Sequence, residues 1–336
     1  MSSETKRIEI IQYLRGLASL AVAWFHLTNQ WKDGVRVSGS YGWLGVEAFF
    51  VISGFVIPYS ISLNYKRYSA SAFVSFMSRR VLRIEVPYIV SMILTMTLGY
   101  LSAMAPSFKG SVPHYTLAQI TSNIFYVATL TGETWIQPVY WTLAFEFAFY
   151  LIIGLLFGVL FKDKLTLAYL LAVGVLVLLA SQGWISILVL LFVMGSAIFR
   201  QTANLDHRLV TVLIVSVCTV TIGVVGDVPT ALTGLVTSAI IGFGQGIHVK
   251  GNLGKVLSYL GTVSYSLYLI HVPIGGRVIN LTARFVHGEL EHLCASGLAL
   301  VITLVFAHVF YIGVERPSQR RARNFVHLRR ISLVNS

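Results

Sequence analysis

The sequence predicts an all-α fold, a polytopic membrane bundle of about ten transmembrane helices. Of its 336 residues, 56% are hydrophobic and only 11% are charged, whereas about a quarter of a typical soluble domain is charged. Apolar runs recur along nearly the whole chain, each close to the ~20 residues that a helix needs to cross a bilayer. We therefore expect one integral membrane domain over residues 1–336, with a core at 8–317 and a basic cytoplasmic tail at 318–336.

The apolar runs divide into ten candidate spans and one ambiguous segment. Residues 117–130 are ambiguous because this run is short and contains Gln119, Ser122 and Asn123. In chain order, the ten predicted spans are residues 11–27, 42–61, 85–104, 141–161, 165–180, 185–199, 209–226, 230–247, 257–275 and 292–314.

The distribution of Lys and Arg indicates how the spans are oriented, since cytoplasmic loops of membrane proteins carry an excess of these residues. If residues 117–130 do not cross and the N-terminus is cytoplasmic, 19 of the 25 basic residues lie inside and 5 lie outside, with Arg15 within the first span. Letting residues 117–130 cross would place the basic tail outside. We therefore predict ten spans with both termini cytoplasmic, and a re-entrant or interfacial helix at 117–130. The inside set is Lys6, Arg7, Lys66, Arg67, Arg79, Arg80, Arg83, Lys162, Lys164, Arg200, Arg208, Lys250, Lys255, Arg316, Arg320, Arg321, Arg323, Arg329 and Arg330, and the outside set is Lys32, Arg36, Lys109, Arg277 and Arg284.

This topology also accounts for the net charge of +12. The basic residues occupy short loops and the tail, so we predict a lipid bilayer as a partner and no nucleic acid. The expected location is the bacterial inner membrane, and no oligomeric state is indicated. Cys218 and Cys294 lie in apolar runs with no motif spacing, and we interpret them as small core residues.

Ionisable residues inside spans are costly, at roughly 2.5–3.5 kcal/mol near a helix centre, so those present are candidates for function. Arg15 and His26 are eleven residues apart in the first span. On a helix this spacing returns to within about 20° of the same face and covers about 16 Å of axis. We expect both to face one passage inside the bundle, Arg15 near the cytoplasm and His26 near the outer side. Alternatively, Arg15 snorkels to one interface and His26 lies at the other.

The predicted topology places four titratable residues in the outer half of the bundle: His26, Glu47, Glu146 and His271. Two imidazoles and two carboxylates at one depth are typical of an acid–base site. Metal binding is the rival interpretation, although no two of these residues share a helix at ligand spacing. His308 falls in the inner half of the last span, where a core histidine bonded to a backbone carbonyl is expected.

Three arginines, Arg79, Arg80 and Arg83, lie in the second cytoplasmic segment. Arg80 and Arg83 are three residues apart, so a helix would place them on one side. Paired guanidinium groups bind phosphate oxygens well. The alternative is that these charges only obey the positive-inside rule, and the basic cluster at 320–323 is interpreted as facing lipid headgroups.

Six stretches between Ile11 and Pro317 carry recognisable motifs. In chain order they are IQYLRGLASLAVAWFH, GVEAFFVISGFVI, RRVLRIEVPY, YWTLAFEFAFYL, LGTVSYSLYLIHVPI and VERP. Together, and in this order, they resemble the acyltransferase 3 family of integral membrane acyltransferases. The first stretch resembles the family's arginine–ten residues–histidine signature.

The resemblance implies a ten-helix bundle that uses acyl-CoA as donor and sugar hydroxyls as acceptors. Acetyl-CoA is then a co-substrate, with no permanently bound cofactor and no metal, and the acceptor is a carbohydrate or a lipid-linked glycan such as exopolysaccharide or O-antigen. By motif position, Arg15 and His26 correspond to the essential pair of the first helix, and Glu146 to the acid of the Trp-Thr-Leu motif. Arg80 and Arg83 correspond to the basic cytoplasmic motif, and His271 to the histidine after Ser-Tyr-Ser-Leu-Tyr.

Residue chemistry and resemblance together give a predicted site. The predicted catalytic residues are His26, Glu146, Arg15 and His271; the predicted donor-binding residues are Arg79, Arg80, Arg83 and Arg15; and the predicted substrate-binding residues are Glu47, Trp141 and Tyr265. CoA phosphates would bind the arginines, and His26 would act as general base on the acceptor hydroxyl. Glu146 would orient the imidazole or stabilise the imidazolium. A transient acyl-histidine is the alternative course.

The chain departs from the family pattern in three respects. Gln12 stands where many members have Asp, which weakens a mechanism that needs an acid three residues before Arg15, and Glu47 stands where Asp is common. Some exopolysaccharide-modifying members are similar at Gln12. The sequence also contains no extracytoplasmic hydrolase-like domain, so we expect direct transfer or delivery of the acyl group to a separate protein. Two other classes stay open: a transporter or flippase of an acylated or anionic glycolipid, and a membrane sensor or scaffold.

Overall fold

A computed structural model describes residues 3–65, 68–105, 111–161, 165–244 and 246–324. Within these residues the chain is helical and contains no β-strand, so the predicted all-α class is confirmed. Several loop and tail charges used to orient the spans fall outside the described residues: Lys66, Arg67, Lys109, Lys162, Lys164, Arg329 and Arg330, together with the side chains of Lys6 and Arg7.

Fourteen α-helices and two π-helices make up the described chain. The α-helices are α1 (Ser3–Thr28), α2 (Gly34–Gly39), α3 (Leu44–Asn64), α4 (Ala70–Ala103), α5 (Leu117–Ile124), α6 (Ala128–Thr131), α7 (Trp141–Leu160), α8 (Thr166–Ser181), α9 (Val189–Thr202), α10 (Arg208–Val225), α11 (Val228–Phe243), α12 (Gly251–Ile270), α13 (Gly276–Thr282) and α14 (Glu289–Phe310). The π-helix π1 (His271–Gly275) follows α12, and π2 (Tyr311–Glu315) follows α14.

Several of these helices can cross a membrane. Six helical stretches of the described chain have the length and apolar composition of a span, and α8, α9 and α11 are shorter apolar helices. The six stretches are Glu9–Thr28, Gly34–Asn64, Ala70–Ala103, Trp141–Leu160, Arg208–Val225 and Glu289–Asn324. The chain is therefore a multi-pass membrane protein, and the count of ten spans and the orientation stay predictions.

Two predicted segments differ from the structure in an informative way. The third span was predicted from residue 85, but α4 begins at Ala70 and contains Arg79, Arg80 and Arg83. Residues 70–84 contain neither Gly nor Pro, so the helix extends beyond its apolar part. The ambiguous segment 117–130 forms two short helices, α5 and α6, joined by a turn. Since α5 has eight residues, about 12 Å of axis, it does not cross a bilayer.

The chain forms two compact units, each assembled from three stretches. The first unit consists of Met1–Val22, Tyr41–Val74 and Phe149–Ser264, and the second of Ala23–Ser40, Ser75–Ala148 and Tyr265–Ser336. Helices α1, α4, α7 and α12 contribute residues to both. The prediction of a single domain over residues 1–336 is not tested by this division.

In the first unit, glycines allow helix backbones to touch. A Cβ atom on Gly54 of α3 would lie 2.2 Å from the Phe192 carbonyl oxygen, and one on Gly195 of α9 would lie 2.0 Å from that of Val51. Gly45 meets Ala18 of α1 in the same way, at 2.4 Å. Small residues at crossings are the usual means of tight helix association in membranes. Packing therefore accounts for Gly45 and Gly54, two of the three glycines of the second predicted span.

A buried ion pair fixes the end of α9 in the first unit. Arg200 is fully buried, and its guanidinium donates to both oxygens of Asp206, at 2.5 and 2.8 Å, and to the Leu160 carbonyl. It also lies over the ring of Tyr169, 4.4 Å from the centroid. Burial disfavours the charged carboxylate, but hydrogen bonds from Arg200 and Thr166 outweigh it and hold the pKa of Asp206 below its usual value. From its sequence position, Arg200 was counted only among the cytoplasmic basic residues. The structure shows that it also forms a buried ion pair with Asp206.

Asp206→Asn is expected to destabilise the protein strongly, because it leaves the Arg200 charge buried without its counter-charge. The expected loss is about 3–5 kcal/mol, measured as a fall in the thermal unfolding midpoint of the detergent-purified protein. Asp227→Asn is the matched control, since Asp227 is an exposed cap of α11 that accepts from the Thr230 backbone and hydroxyl. Losing that cap costs about 0.5–2 kcal/mol. Equal losses from the two substitutions would contradict this account of Arg200.

Candidate functional site

Two histidines meet at the C-terminal ends of their helices in the second unit. His26 lies in the last turn of α1, and His271 begins π1 directly after α12. Their ring centroids are 5.1 Å apart, with the planes tilted by 48°. His271 is 1% exposed, and His26 is half-buried. The structure thus brings together the two imidazoles that the topology placed at one depth.

The His271 imidazole is held by the helix that carries it. Its Nδ1 lies 2.8 Å from the Tyr268 carbonyl oxygen and 3.2 Å from that of Leu267. Its Nε2 is buried and has no hydrogen-bond partner within the described chain. Buried polar atoms in folded proteins nearly always have partners, so this nitrogen is a candidate for contact with a ligand or a reacting group.

Tyr268, three residues before His271, joins α12 to the start of α7. Its hydroxyl donates to the Val139 carbonyl at 2.9 Å and lies 2.5 Å from the Thr142 hydroxyl. Glu146 follows Thr142 by four residues, so it lies on nearly the same face of α7, one turn further along. Glu146 is half-buried. Trp141 begins α7, and its ring meets Phe145 edge-on at 5.8 Å.

Three of the four predicted donor-binding arginines, Arg79, Arg80 and Arg83, lie on α4 of the same unit. Arg79 and Arg80 are half-buried, Arg83 is exposed, and the Arg80 guanidinium lies 5.5 Å from the centroid of the Phe76 ring. Directly after Arg83, the Ile84 carbonyl accepts a hydrogen bond from the Tyr265 hydroxyl at 2.9 Å. This bond ties the arginine-bearing part of α4 to α12, the helix that ends at His271.

Arg15 and Glu47 belong to the first unit. Arg15 is half-buried, while Leu17, about 200° around α1 from Arg15, is 52% exposed. Glu47 lies in the first turn of α3, is 4% exposed, and has a buried Oε2 without a partner within the described chain. The Oε1 atom of Gln12 is also buried and unpartnered there. The predicted convergence of Arg15 and Glu47 with the two histidines stays a prediction.

A short loop after α1 anchors the helix end that carries His26. Trp31 donates its indole N–H to the Ser296 hydroxyl at 2.8 Å, and Ser296 in turn bonds to the Leu27 carbonyl at 3.3 Å. The Trp31 ring stacks on His292, with centroids 4.1 Å apart. His292 donates to Asp33 at 2.6 Å, and this hydrogen bond lowers the pKa of Asp33 from its usual value. The end of α1 is therefore fixed against α14.

Sequence reasoning missed Glu315, a buried carboxylate of the Val-Glu-Arg-Pro stretch. Glu315 is 2% exposed and ends π2. Its Oε2 accepts from the Ser266 backbone N–H at 3.1 Å and from the Ser266 hydroxyl at 2.5 Å, and its Oε1 accepts from Gln319 at 2.8 Å. The carboxylate therefore fixes α12 five residues before His271. The Val-Glu-Arg-Pro motif was the signal available in the sequence, but no role was predicted for Glu315.

A second missed group surrounds Tyr126, whose backbone has a φ of 59°. This left-handed conformation is strained for a residue with a bulky side chain, and such strain often marks functional sites. The Tyr126 ring stacks between Tyr88 and Phe147, with centroids at 4.9 and 5.2 Å. Its hydroxyl faces the half-buried Glu85 carboxyl. Glu85 is thus a carboxylate that the sequence placed only at the start of a span.

Metal binding was the rival interpretation of the acid–base set. Within the ranges that the structure describes, no three His, Cys, Asp or Glu side chains are arranged to hold a metal ion.

Comparisons with known proteins give the chain a family context. A family model described as an acyltransferase domain, acyltransferase 3, matches residues 8–314. The chain is 26% identical to the O-acetyltransferase OatA of Staphylococcus aureus over 364 aligned positions, which cover 92% of this chain and 56% of that protein. It is 24% identical to the peptidoglycan O-acetyltransferase OatA of Listeria monocytogenes over 372 positions, covering 94% and 56%.

A shorter similarity links the chain to a putative O-acetyltransferase of Staphylococcus aureus, at 33% identity over 149 positions, covering 41% of this chain and 22% of that protein. The chain spans about half the length of the two OatA proteins. No solved structure matches it.

The Glu315 network gives a stability prediction that separates charge from hydrogen bonding. Glu315→Ala removes the acceptor of two Ser266 donors in a buried place and is expected to cost about 1–3 kcal/mol for each donor left unpaired. Glu315→Gln keeps an amide oxygen for Ser266 and should cost much less. Thermal unfolding of both variants in the same detergent measures the difference. If Glu315→Ala unfolds at the wild-type temperature, the proposed anchoring of α12 is wrong.

Proposed function

The chain belongs to the acyltransferase 3 family, and on that premise we propose that it transfers an acetyl group from acetyl-CoA to a hydroxyl of a cell-surface carbohydrate. The observation that carries this proposal is the pairing of His26 and His271. An imidazole pair, one ring buried and the other half-buried, suits proton removal from a hydroxyl. The O-acetyltransferase names of the relatives support the choice of an acetyl group.

The reaction needs one base and one leaving group. In this proposal His26 removes the proton of the acceptor hydroxyl while the oxygen attacks the thioester carbonyl carbon. The new carbon–oxygen bond forms, the carbon–sulfur bond breaks, and the departing thiolate of CoA takes the proton from His26. Glu146 supplies negative charge that stabilises the transient imidazolium. An acetyl-histidine on His26 is the alternative course, in which the same base first acts as the nucleophile.

The donor is proposed to bind along α4 on the cytoplasmic side. Arg79, Arg80 and Arg83 would hold the phosphates of acetyl-CoA, because guanidinium groups bind phosphate oxygens in a forked geometry. The bond from Tyr265 to the Ile84 carbonyl supports this path, since it joins the arginine-bearing helix to the helix that leads to His271. Arg15 is proposed to assist donor binding from its place on α1.

The acceptor is proposed to be a glycan at the outer face of the bacterial inner membrane. Exopolysaccharide or O-antigen is the acceptor that the sequence resemblance favours, and peptidoglycan is the acceptor in the name of the Listeria relative. Glu47, Trp141 and Tyr265 are proposed to contact the substrate.

The membrane arrangement is part of the proposal. We infer ten spans, formed by α1, α3, α4, α7, α8, α9, α10, α11, α12 and α14, with both termini in the cytoplasm. The excess of Lys and Arg in the inside loops supports this orientation.

His26→Ala is expected to lower acetyl transfer by about 10²–10⁴-fold, the usual contribution of a general base. The assay uses protein purified in nanodiscs, labelled acetyl-CoA, and glycans from cells that lack the gene. His308→Ala is the matched control, since His308 is an exposed histidine at the end of α14, and it should keep wild-type transfer. Near-normal product from His26→Ala would refute the mechanism. Uptake of unmodified glycolipid by the wild type, without acetylation, would favour a transporter.

The topology can be tested with a reporter enzyme that is active only outside the cytoplasm. Fusions after Pro113 and after Thr134 should both be active, because α5 and α6 between them do not cross in this arrangement. A fusion after Asn204, between α9 and α10, should be inactive. Opposite activities at Pro113 and Thr134 would mean that residues 117–130 cross the membrane.

A further inference from the structure

Pro273 lies in the middle of π1, where a regular helix would need its backbone N–H. Proline has no N–H to offer to the carbonyl four residues before it, and its ring crowds that carbonyl. The chain forms one wide turn at His271–Gly275, a type of distortion frequent at functional sites. The carbonyl groups of the last turn of α12 then need other donors, because buried backbone groups are rarely left unpaired.

The His271 imidazole donates to two carbonyl groups of this turn. Its Nδ1 lies within hydrogen-bond distance of the Tyr268 and Leu267 carbonyl oxygens. A carbonyl oxygen only accepts, so Nδ1 must carry the hydrogen, and in the neutral ring Nε2 then carries the lone pair. The wide turn therefore fixes the tautomer of His271. It leaves a buried acceptor with no partner within the described chain.

The His26 ring lies beside the ring that carries this acceptor. The two centroids are 5.1 Å apart. A hydrogen bond between the rings needs one nitrogen of each to point along the line between them. The proposal below therefore includes a rotation of the His26 side chain. Catalytic hydrogen bonds are often loose in the absence of substrate and tighten when it binds.

We propose that His271 is a positioning residue whose Nε2 accepts the N–H of His26, and that Pro273 sets His271 in this role. The second nitrogen of His26 then carries the lone pair and faces the acceptor hydroxyl. This inference rests on the proposed function and adds to it which nitrogen is the base and why. His271 keeps its own hydrogen throughout, and it stabilises the imidazolium of His26 until the thiolate of CoA takes the proton.

In this proposal His271 orients the His26 ring. Glu146 lies one turn beyond Thr142 on α7, and it keeps the role of stabilising the imidazolium.

The kinetic test compares two replacements of His271. Glutamine has an amide oxygen that can accept from His26, whereas leucine has a similar size and no acceptor. His271→Leu should lower kcat about 100-fold with the KM for acetyl-CoA within about twofold, and His271→Gln should recover at least a tenth of the wild-type rate. A merely structural role predicts equal rates for the two variants, and that result would overturn the proposal, as would wild-type kcat in His271→Leu.

The positioning role of Pro273 has a spectroscopic test that does not need activity. Nitrogen NMR of protein with labelled histidine distinguishes the Nδ1–H tautomer from the Nε2–H tautomer, and His271→Gln identifies the His271 signal. The wild type should show the Nδ1–H form, and Pro273→Ala should reduce it and lower kcat about tenfold. Pro58→Ala is the control, since Pro58 lies inside α3, where the helix stays regular. This substitution should leave both the His271 tautomer and kcat unchanged.

The two tests separate failure of the inference from failure of the proposed function. If the wild-type protein transfers no acetyl group, the proposed function is wrong, but the tautomer measurement still reports on His271. If the wild type is active and His271 carries the Nε2–H form, the proposed function stands and the inference is overturned. His26→Ala with His271→Leu should be no slower than His26→Ala alone, because residues that act as one unit do not add.

Discussion

The hydrogen bond from the His271 imidazole to the Tyr268 carbonyl is the interaction on which the rest of the site depends. In the core of a bilayer, no water is present to donate a hydrogen bond to a backbone carbonyl that has lost its helical donor. Pro273 has no N–H for the Leu269 carbonyl, and beside it the His271 side chain donates to the Tyr268 carbonyl. The same bond fixes the imidazole, and it leaves the ring's other nitrogen without a partner beside His26. The bond to the Tyr268 carbonyl thus determines which nitrogen of the His271 ring carries the hydrogen.

The polar contacts around α12 all limit its movement. Glu315 binds Ser266 from π2, the Tyr265 hydroxyl binds the Ile84 carbonyl on α4, and the Tyr268 hydroxyl binds the Val139 carbonyl before α7. Hydrophobic burial alone cannot position helices in lipid, because lipid tails are as apolar as the side chains. Hydrogen bonds between helices supply that positional control here. On the other side of the pair, Trp31 and Ser296 hold the end of α1.

The sequence predicts helices well because apolar runs of span length allow few other structures in a membrane. The sequence also predicts that His26 and His271 lie at the same depth in the membrane, because successive spans run in opposite directions and each residue has a known place in its span. It does not predict the extension of α4 to Ala70, because an amphipathic helix end has no apolar signature. The left-handed Tyr126 and the Ser266–Glu315 contact depend on packing between distant stretches. The pattern of apolar residues within one stretch does not predict such contacts.

A structure of the protein with a stable analogue in which acetyl-CoA is joined to an acceptor sugar would test the central claim most directly. The account predicts that one nitrogen of His26 lies within about 3.2 Å of the acceptor oxygen. It predicts that the other nitrogen of His26 lies at the same distance from Nε2 of His271. An analogue whose reacting carbon binds away from both rings, or a His26 ring that turns away from His271 when the analogue is bound, would contradict it.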